Sequence, residues 1–335
     1  MTPPEPMPRR CLLVLGMHRS GTSALAGMLT HLGAAAPATP MAPHASNPRG
    51  FFESIPVRDL NDALLARLGR SWNDWRALPP GWHRQTGLED LLADAQAVIA
   101  AEFGTASLFV LKDPRICRLL PFWRRGLERA GVQLLALHTH RHPDAVAASL
   151  AARYGMEPAV ARLLWLRHQL EAEAASRDLP RGFTGYARLL ADPAAEARRL
   201  ARRFGLAADL APDGGAAAAF VTADLRTQRE GEDPELPAWC RDALSVFEAW
   251  SRLPEAQAQA VSGQRVSDPA GRATLDRIRA EMDHADAAYG AIFDQVRSSA
   301  RDLRQARRAL KECRDDRARL QAVLDAARDG FRDGG

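Results

Sequence analysis

Residues 11–32, CLLVLGMHRSGTSALAGMLTHL, constrain this chain more than any other stretch. The apolar run Cys11-Leu12-Leu13-Val14-Leu15 has the length and bounds of a strand buried on both faces. Residues 16–23 form a polar, glycine-bearing loop, after which Leu25, Met28, Leu29 and Leu32 recur at helical spacing. Strand, glycine loop and helix together offer free backbone N–H groups and a positive helix end to an anion.

The same plan recurs along the chain. Apolar runs at 107–111 and 132–137 read as strands, and 182–185 as a poorly formed fourth. Helical patterns are expected at 56–68, 88–103, 116–130, 143–154, 157–176, from Tyr186 to about 204, and at 238–252. Strands alternating with such helices imply parallel βαβ units, an α/β fold with a doubly wound parallel sheet. Ligands of such sheets sit beyond the carboxyl ends of the strands. Three polar clusters fall there: Arg19-Ser20-Gly21, Lys112-Asp113 and Arg141.

Gly16 and Gly21 match the glycine spacing of the P-loop, G-x-x-x-x-G-K-[ST], and Ser23 takes its hydroxyl position. Thr22 stands where that motif has its lysine, and the cation here is Arg19, inside the loop. The loop is therefore expected to hold a phosphate-like group, not the triphosphate of ATP with magnesium.

The loop resembles the 5′-phosphosulfate loop of sulfotransferases that use 3′-phosphoadenosine 5′-phosphosulfate, in the branch that includes bacterial, carbohydrate and tyrosyl-protein enzymes. The resemblance covers about residues 11–226. It puts His18, Arg19, Ser20, Gly21, Thr22 and Ser23 around the 5′-phosphate and the transferring sulfonate. It gives the 3′-phosphate to Arg141 and Ser149, in His-Arg-His-Pro-Asp-Ala-Val-Ala-Ala-Ser-Leu, and Arg suits a phosphate as a bidentate fork. Lys112, in Lys-Asp-Pro-Arg, would approach the bridging oxygen. Tyr186, in Tyr-Ala-Arg-Leu-Leu-Ala-Asp-Pro, would lie near the adenine, and Arg226 would close over the donor. Ala187 stands where the family usually has an acid after that tyrosine. Glu53, ending Asn-Pro-Arg-Gly-Phe-Phe-Glu, is the expected general base, with His18 and Asp113 as alternatives. An efficient carboxylate base needs surroundings that raise its pKa, and Phe51 and Phe52 could provide them. Trp72, Trp75 and Trp82 fit either a capped core or an acceptor wall. The acceptor implied is a hydroxyl, on a glycan or glycolipid. The competing readings are a small-molecule kinase and a nucleotide-binding scaffold that acts through its tail.

Composition adds bounds. The 335 residues suit one large domain with an appendage. The expected layout is an α/β domain at 1–252, a linker at 253–272 and a coiled-coil helix at 273–329. Four scattered cysteines show no metal-ligand spacing, so no metal is expected and a reducing cytoplasmic location is the simplest reading. No secretory signal and no spanning segment are expected. Residues 297–335 hold 11 Lys/Arg against 7 Asp/Glu, which accounts for the whole net charge of +4. The remainder is balanced, so no nucleic-acid groove is expected on the main domain. From Leu275 a heptad register runs through Met282, Tyr289, Val296, Leu303, Leu310, Arg317 and Leu324, with Ile278, Ala285 and Ile292 opening its second apolar series. This predicts self-association through 274–329, most simply as a parallel dimer, or docking on a partner helix.

Overall fold

The computed structural model describes residues 8–45, 47–206, 209–210, 215–222, 236–253 and 268–332. Arg226 and most of the expected linker lie outside the described residues. The chain forms two compact units, one up to Ala280 and one from Glu281.

In the first unit, β1 (Arg9–Leu15), β2 (Leu108–Lys112), β3 (Val132–His140) and β4 (Arg181–Gly185) form one parallel sheet in the order β2-β1-β3-β4. β1 is central because its residues are apolar in both directions. Cys11, Leu13 and Leu15 join one core with α2 (Ile55–Arg67), α3 (Glu89–Phe103) and α4 (Ile116–Arg129). Leu12 and Val14 join another with α1 (Thr22–His31), α7 (Tyr186–Ala191) and α8 (Pro193–Arg203). The chain steps to one side of β1 for β2 and to the other for β3. This opens a crevice at the carboxyl end of β1, the switch point of a doubly wound sheet.

β3 and the helix expected from Tyr186 differ from the sequence reading. β3 runs three residues beyond Leu137, because Ala136 to His140 pair with Arg181 to Gly185. The buried polar residues of this extension find distant partners: His138 Nε2 lies 2.9 Å from Ser176 Oγ, and His140 Nε2 lies 3.1 Å from Glu248. The helix expected from Tyr186 to 204 breaks at Asp192-Pro193. Proline disfavours a helical residue before it, and the Asp192 carboxylate accepts the Ala195 N–H at 2.8 Å to start α8 afresh.

α5 (Pro143–Tyr154) and α6 (Pro158–Ala175) follow β3. Among the described residues, α9 (Gly215–Phe220) and α10 (Ala238–Ser251) follow later in the first unit. The last helix, α11 (Pro269–Arg332), starts inside the expected linker. Asp268 fixes that start, accepting from Gly271 N at 2.9 Å and from Trp250 Nε1 at 2.8 Å. Leu275 and Ile278, the opening of the heptad register, are buried. Asp276 pairs with Arg177 at 2.8 Å, and Arg177 and Arg181 both pair with the fully buried Glu173. In the second unit, Tyr289, Ile292, Val296, Leu303 and Leu310 are 52–61% exposed.

Candidate active site

The loop after β1 is shaped by what touches its backbone. A Cβ on Gly16 would meet the Thr139 carbonyl oxygen at 2.6 Å, and one on Gly21 would meet the Tyr186 ring at 2.4 Å. Gly21 has φ +88°, so it also serves the left-handed turn into α1. The Gly16 N–H donates to Cys117 Sγ at 3.0 Å, and Thr139 Oγ1 donates to the Ser20 carbonyl at 3.2 Å. The Ser20 hydroxyl and His18 Nε2 are buried and have no hydrogen-bond partner among the described residues. Unpaired buried polar atoms beside a helix start leave this cradle suited to an incoming anion.

Among the described residues, two non-glycine residues have positive φ: Arg19 at 70° and Phe52 at 55°. One lies in this loop and the other immediately precedes Glu53. Such strain collects where surrounding structure fixes a side chain's aim. Arg19 Nε donates to Ser149 Oγ at 2.8 Å, so the loop cation and the α5 serine meet directly. Arg141, buried, lies 4.9 Å over the Tyr186 ring and reaches the Arg19 carbonyl at 3.5 Å. Burial, then Arg153 and Arg141, pull the Arg19 pKa below its ordinary value. Cations held this close favour a multiply charged anion.

Opposite lies the second cluster. Lys112 Nζ donates to Glu53 Oε1, to the Phe51 carbonyl at 3.1 Å and to Ser23 Oγ at 3.2 Å. Asn47 Nδ2 also donates to Ser23 Oγ at 3.2 Å, tying the Asn-Pro-Arg-Gly-Phe-Phe-Glu segment to α1. Glu53 is 5% exposed, and burial raises its pKa against the pull of Lys112. Phe51 shares its cavity, whereas Phe52 turns away onto Phe220, 5.6 Å between ring centres.

The alternative bases have other work. Asp113 is fully buried and bound to Arg115, through the backbone N–H at 2.8 Å and the guanidinium at 3.0 Å. Burial, then the charge of Arg115, hold the His18 pKa well below its usual value, so it is a poor base at neutral pH. The tryptophans divide: Trp75 and Trp82 are buried, while Trp72 lies tilted against His18, 5.0 Å between ring centres. A cavity of about 80 Å³ is lined by His18, Arg19, Ser23, Glu53, Lys112 and Arg153, among others.

Residues 12–209, more than half the chain, match the family model described as the sulfotransferase family. The chain belongs to the sulfotransferase family. It is accordingly a sulfotransferase, an enzyme that moves a sulfonate group. No curated protein matches the chain. The matched span runs from β1 to beyond α8 and so contains both clusters. Sulfotransferases generally use 3′-phosphoadenosine 5′-phosphosulfate as co-substrate. The loop fits such a group: its glycines bring the backbone close, and the Ser20 hydroxyl is unspent. Among the described residues no group of His, Cys, Asp and Glu could hold a metal ion.

The sequence reading missed Arg153, Tyr154, Asn47 and Cys117 as parts of the site. Arg153 had a signal, since it lies four residues after Ser149 and so shares its helix face. Cys117 had none, because its bond to Gly16 depends on how α4 meets the sheet.

Gly21→Ala tests the cradle. The left-handed backbone alone should cost about 1–2 kcal/mol in an unfolding titration. The clash with Tyr186 should in addition remove most sulfonate transfer. Wild-type stability and activity would show that loop and ring relax freely.

Proposed function

We propose that this sulfotransferase moves the sulfonate of 3′-phosphoadenosine 5′-phosphosulfate to a hydroxyl of a glycan or glycolipid. One observation carries the reading: Glu53 and Lys112 are buried against each other, with Lys112 also bonded to Ser23 at the start of the donor loop's helix. A base for the acceptor and a cation for the leaving oxygen are thus adjacent. The acceptor oxygen would bond to sulfur as the bond from sulfur to the 5′-phosphate oxygen breaks. The acceptor proton would pass to Glu53, and Lys112 and Arg19 would meet the charge gathering on the leaving phosphate. His18, Ser20, Gly21, Thr22 and Ser23 would line that phosphate, with Arg141 and Ser149 at the 3′-phosphate and Tyr186 beside the nucleoside.

A kinase reading lacks its lysine, because Thr22 stands at that position. Among the described residues no helix is long and apolar enough to cross a membrane. The free cysteines Cys11, Cys117, Cys240 and Cys313 suit a reducing compartment such as the cytoplasm.

For α11 we propose pairing with a second copy in parallel. The exposed series Tyr289, Val296, Leu303 and Leu310 would form the seam, with Ile292 beside it. In that arrangement Asp302 of one copy faces Arg307 of the other.

Calorimetry with EDTA should detect 3′-phosphoadenosine 5′-phosphate binding, and ATP with magnesium should bind far more weakly. Arg141→Ala should cost about 1.5–3 kcal/mol of that affinity, the worth of a charge-assisted pair. Tighter ATP–magnesium binding would sink the donor assignment.

Glu53→Gln should lower turnover by roughly 10²–10⁴ while sparing donor affinity. In the wild type the rate should fall as pH drops, because the base must be unprotonated. Since burial raises the Glu53 pKa, that limb should lie above pH 4.5. A limb below it would move the base elsewhere.

Full-length protein should sediment as a dimer at tens of micromolar. A chain ending at Ala287, which keeps the buried turns at Leu275 and Ile278, should sediment as a monomer and still bind the nucleotide. A monomeric full-length protein would refute the pairing.

A further inference from the structure

Arg153 closes the last turn of α5, and its surroundings differ from those of the other site arginines. Arg115 has Asp113 and Asp62, and Arg19 has Ser149. Among the described residues Arg153 has neither an ion pair nor a hydrogen bond. It is held by rings instead: its guanidinium carbon lies 5.2 Å from the centre of Phe51 and 5.1 Å from that of Tyr154. Stacking fixes a guanidinium in place and leaves its edge N–H groups free to donate.

Its ring neighbours differ from that of Arg141. Arg141 lies over Tyr186, the ring that packs against Gly21. Arg153 lies over Phe51, whose carbonyl holds Lys112, and it lines the cavity that contains Glu53. Arg141 thus stands by Tyr186, and Arg153 by the cavity of Glu53, which Arg19, Thr22 and Ser23 of the loop also line.

Aromatic faces continue outward from Arg153. Tyr154 is 47% exposed, with its ring centre 5.1 Å from that of Trp72, which in turn lies 5.0 Å from His18. Among the residues lining the cavity of about 80 Å³, Tyr154 alone is exposed, and so marks its mouth. A cyclic acceptor would thus rest at the mouth, with its C–H face on Tyr154 and Trp72. A sugar ring has such a face, and its equatorial hydroxyl can reach inward. A free guanidinium edge beside it calls for an anionic substituent, bound bidentately.

We infer that Arg153, Tyr154 and Trp72 form an acceptor subsite, and that the acceptor is an acidic saccharide whose anionic group sits on the Arg153 guanidinium. This rests on the reading of Glu53 as the base, since that fixes which end of the cavity receives the acceptor. The competing role for Arg153 is that of a further donor-phosphate ligand, four residues from Ser149 on one helix face.

The test uses full-length protein and four probes: an unsulfated glucuronate-containing oligosaccharide, its carboxyl-reduced neutral form, a phosphosugar oligosaccharide of the same length, and an acidic tyrosine-containing peptide. Binding is measured by calorimetry with 3′-phosphoadenosine 5′-phosphate present, and transfer is measured separately with the sulfonated donor. At least one acidic oligosaccharide should bind about 10- to 100-fold more tightly than the neutral form. The glucuronate and phosphosugar arms identify the anion. Arg153→Gln should abolish that preference and Arg153→Lys should restore part of it. Affinity for 3′-phosphoadenosine 5′-phosphate alone should change far less than affinity for the acidic saccharide, since among the described residues no hydrogen bond ties Arg153 to the donor loop. Equal binding of acidic and neutral saccharides, or preference for the peptide, overturns the inference. So does an Arg153→Gln loss that falls on the nucleotide. Acid-selective binding without transfer leaves the subsite standing and counts against the reading of Glu53 instead.

Discussion

The site depends on β1 being paired in parallel on both edges. Val14 is level with Lys112 on β2, and Leu15 is level with His138 on β3. Parallel pairing brings all the strand ends to one rim, so residues from 16, 112 and 141 onward must converge there. A one-residue slip would turn Lys112 to the opposite face of the sheet and break its bonds to Ser23 and Glu53. The apolar alternation that fixes the core therefore also fixes the chemistry.

At that rim, two strained backbones and a crowd of cations are stabilised by their neighbours. Arg19 is held left-handed while Ser149 receives its Nε, and Phe52 is held left-handed while Glu53 is sunk against Lys112. Structures keep such conformations when the surroundings over-determine them. Charge is managed in the same way: acids hold Arg115, rings hold Arg153, and Tyr186 underlies Arg141.

The sheet was legible because each strand is a short apolar run closed by a polar cluster. The loop was legible because its glycines and hydroxyls are contiguous in sequence. What escaped was set by distant contacts. The pattern could not extend β3 to His140, since Ser176 and Glu248 are what make those buried histidines tolerable. The pattern could not separate Trp72 from Trp75 and Trp82, because the difference lies in His18 and Tyr154 approaching one of them. The break at Asp192-Pro193 was written in the residues, and helical periodicity on both sides obscured it. Arg153 joins the site through Phe51, which meets it from a loop a hundred residues away.

The ion pair between Arg177 and Asp276 has a consequence for biosynthesis. Chains emerge from the ribosome amino end first, and domains generally fold as units. Here the sheet is fully translated once Gly185 has been added, yet Arg177 waits for a second carboxylate, Asp276, 99 positions downstream. Leu275 and Ile278, which belong to the same compact unit, arrive equally late. The nascent enzyme thus passes through a stage with a complete sheet and an unfinished flank. Whatever α11 meets in its later turns, its first three turns are the closing piece of the catalytic unit.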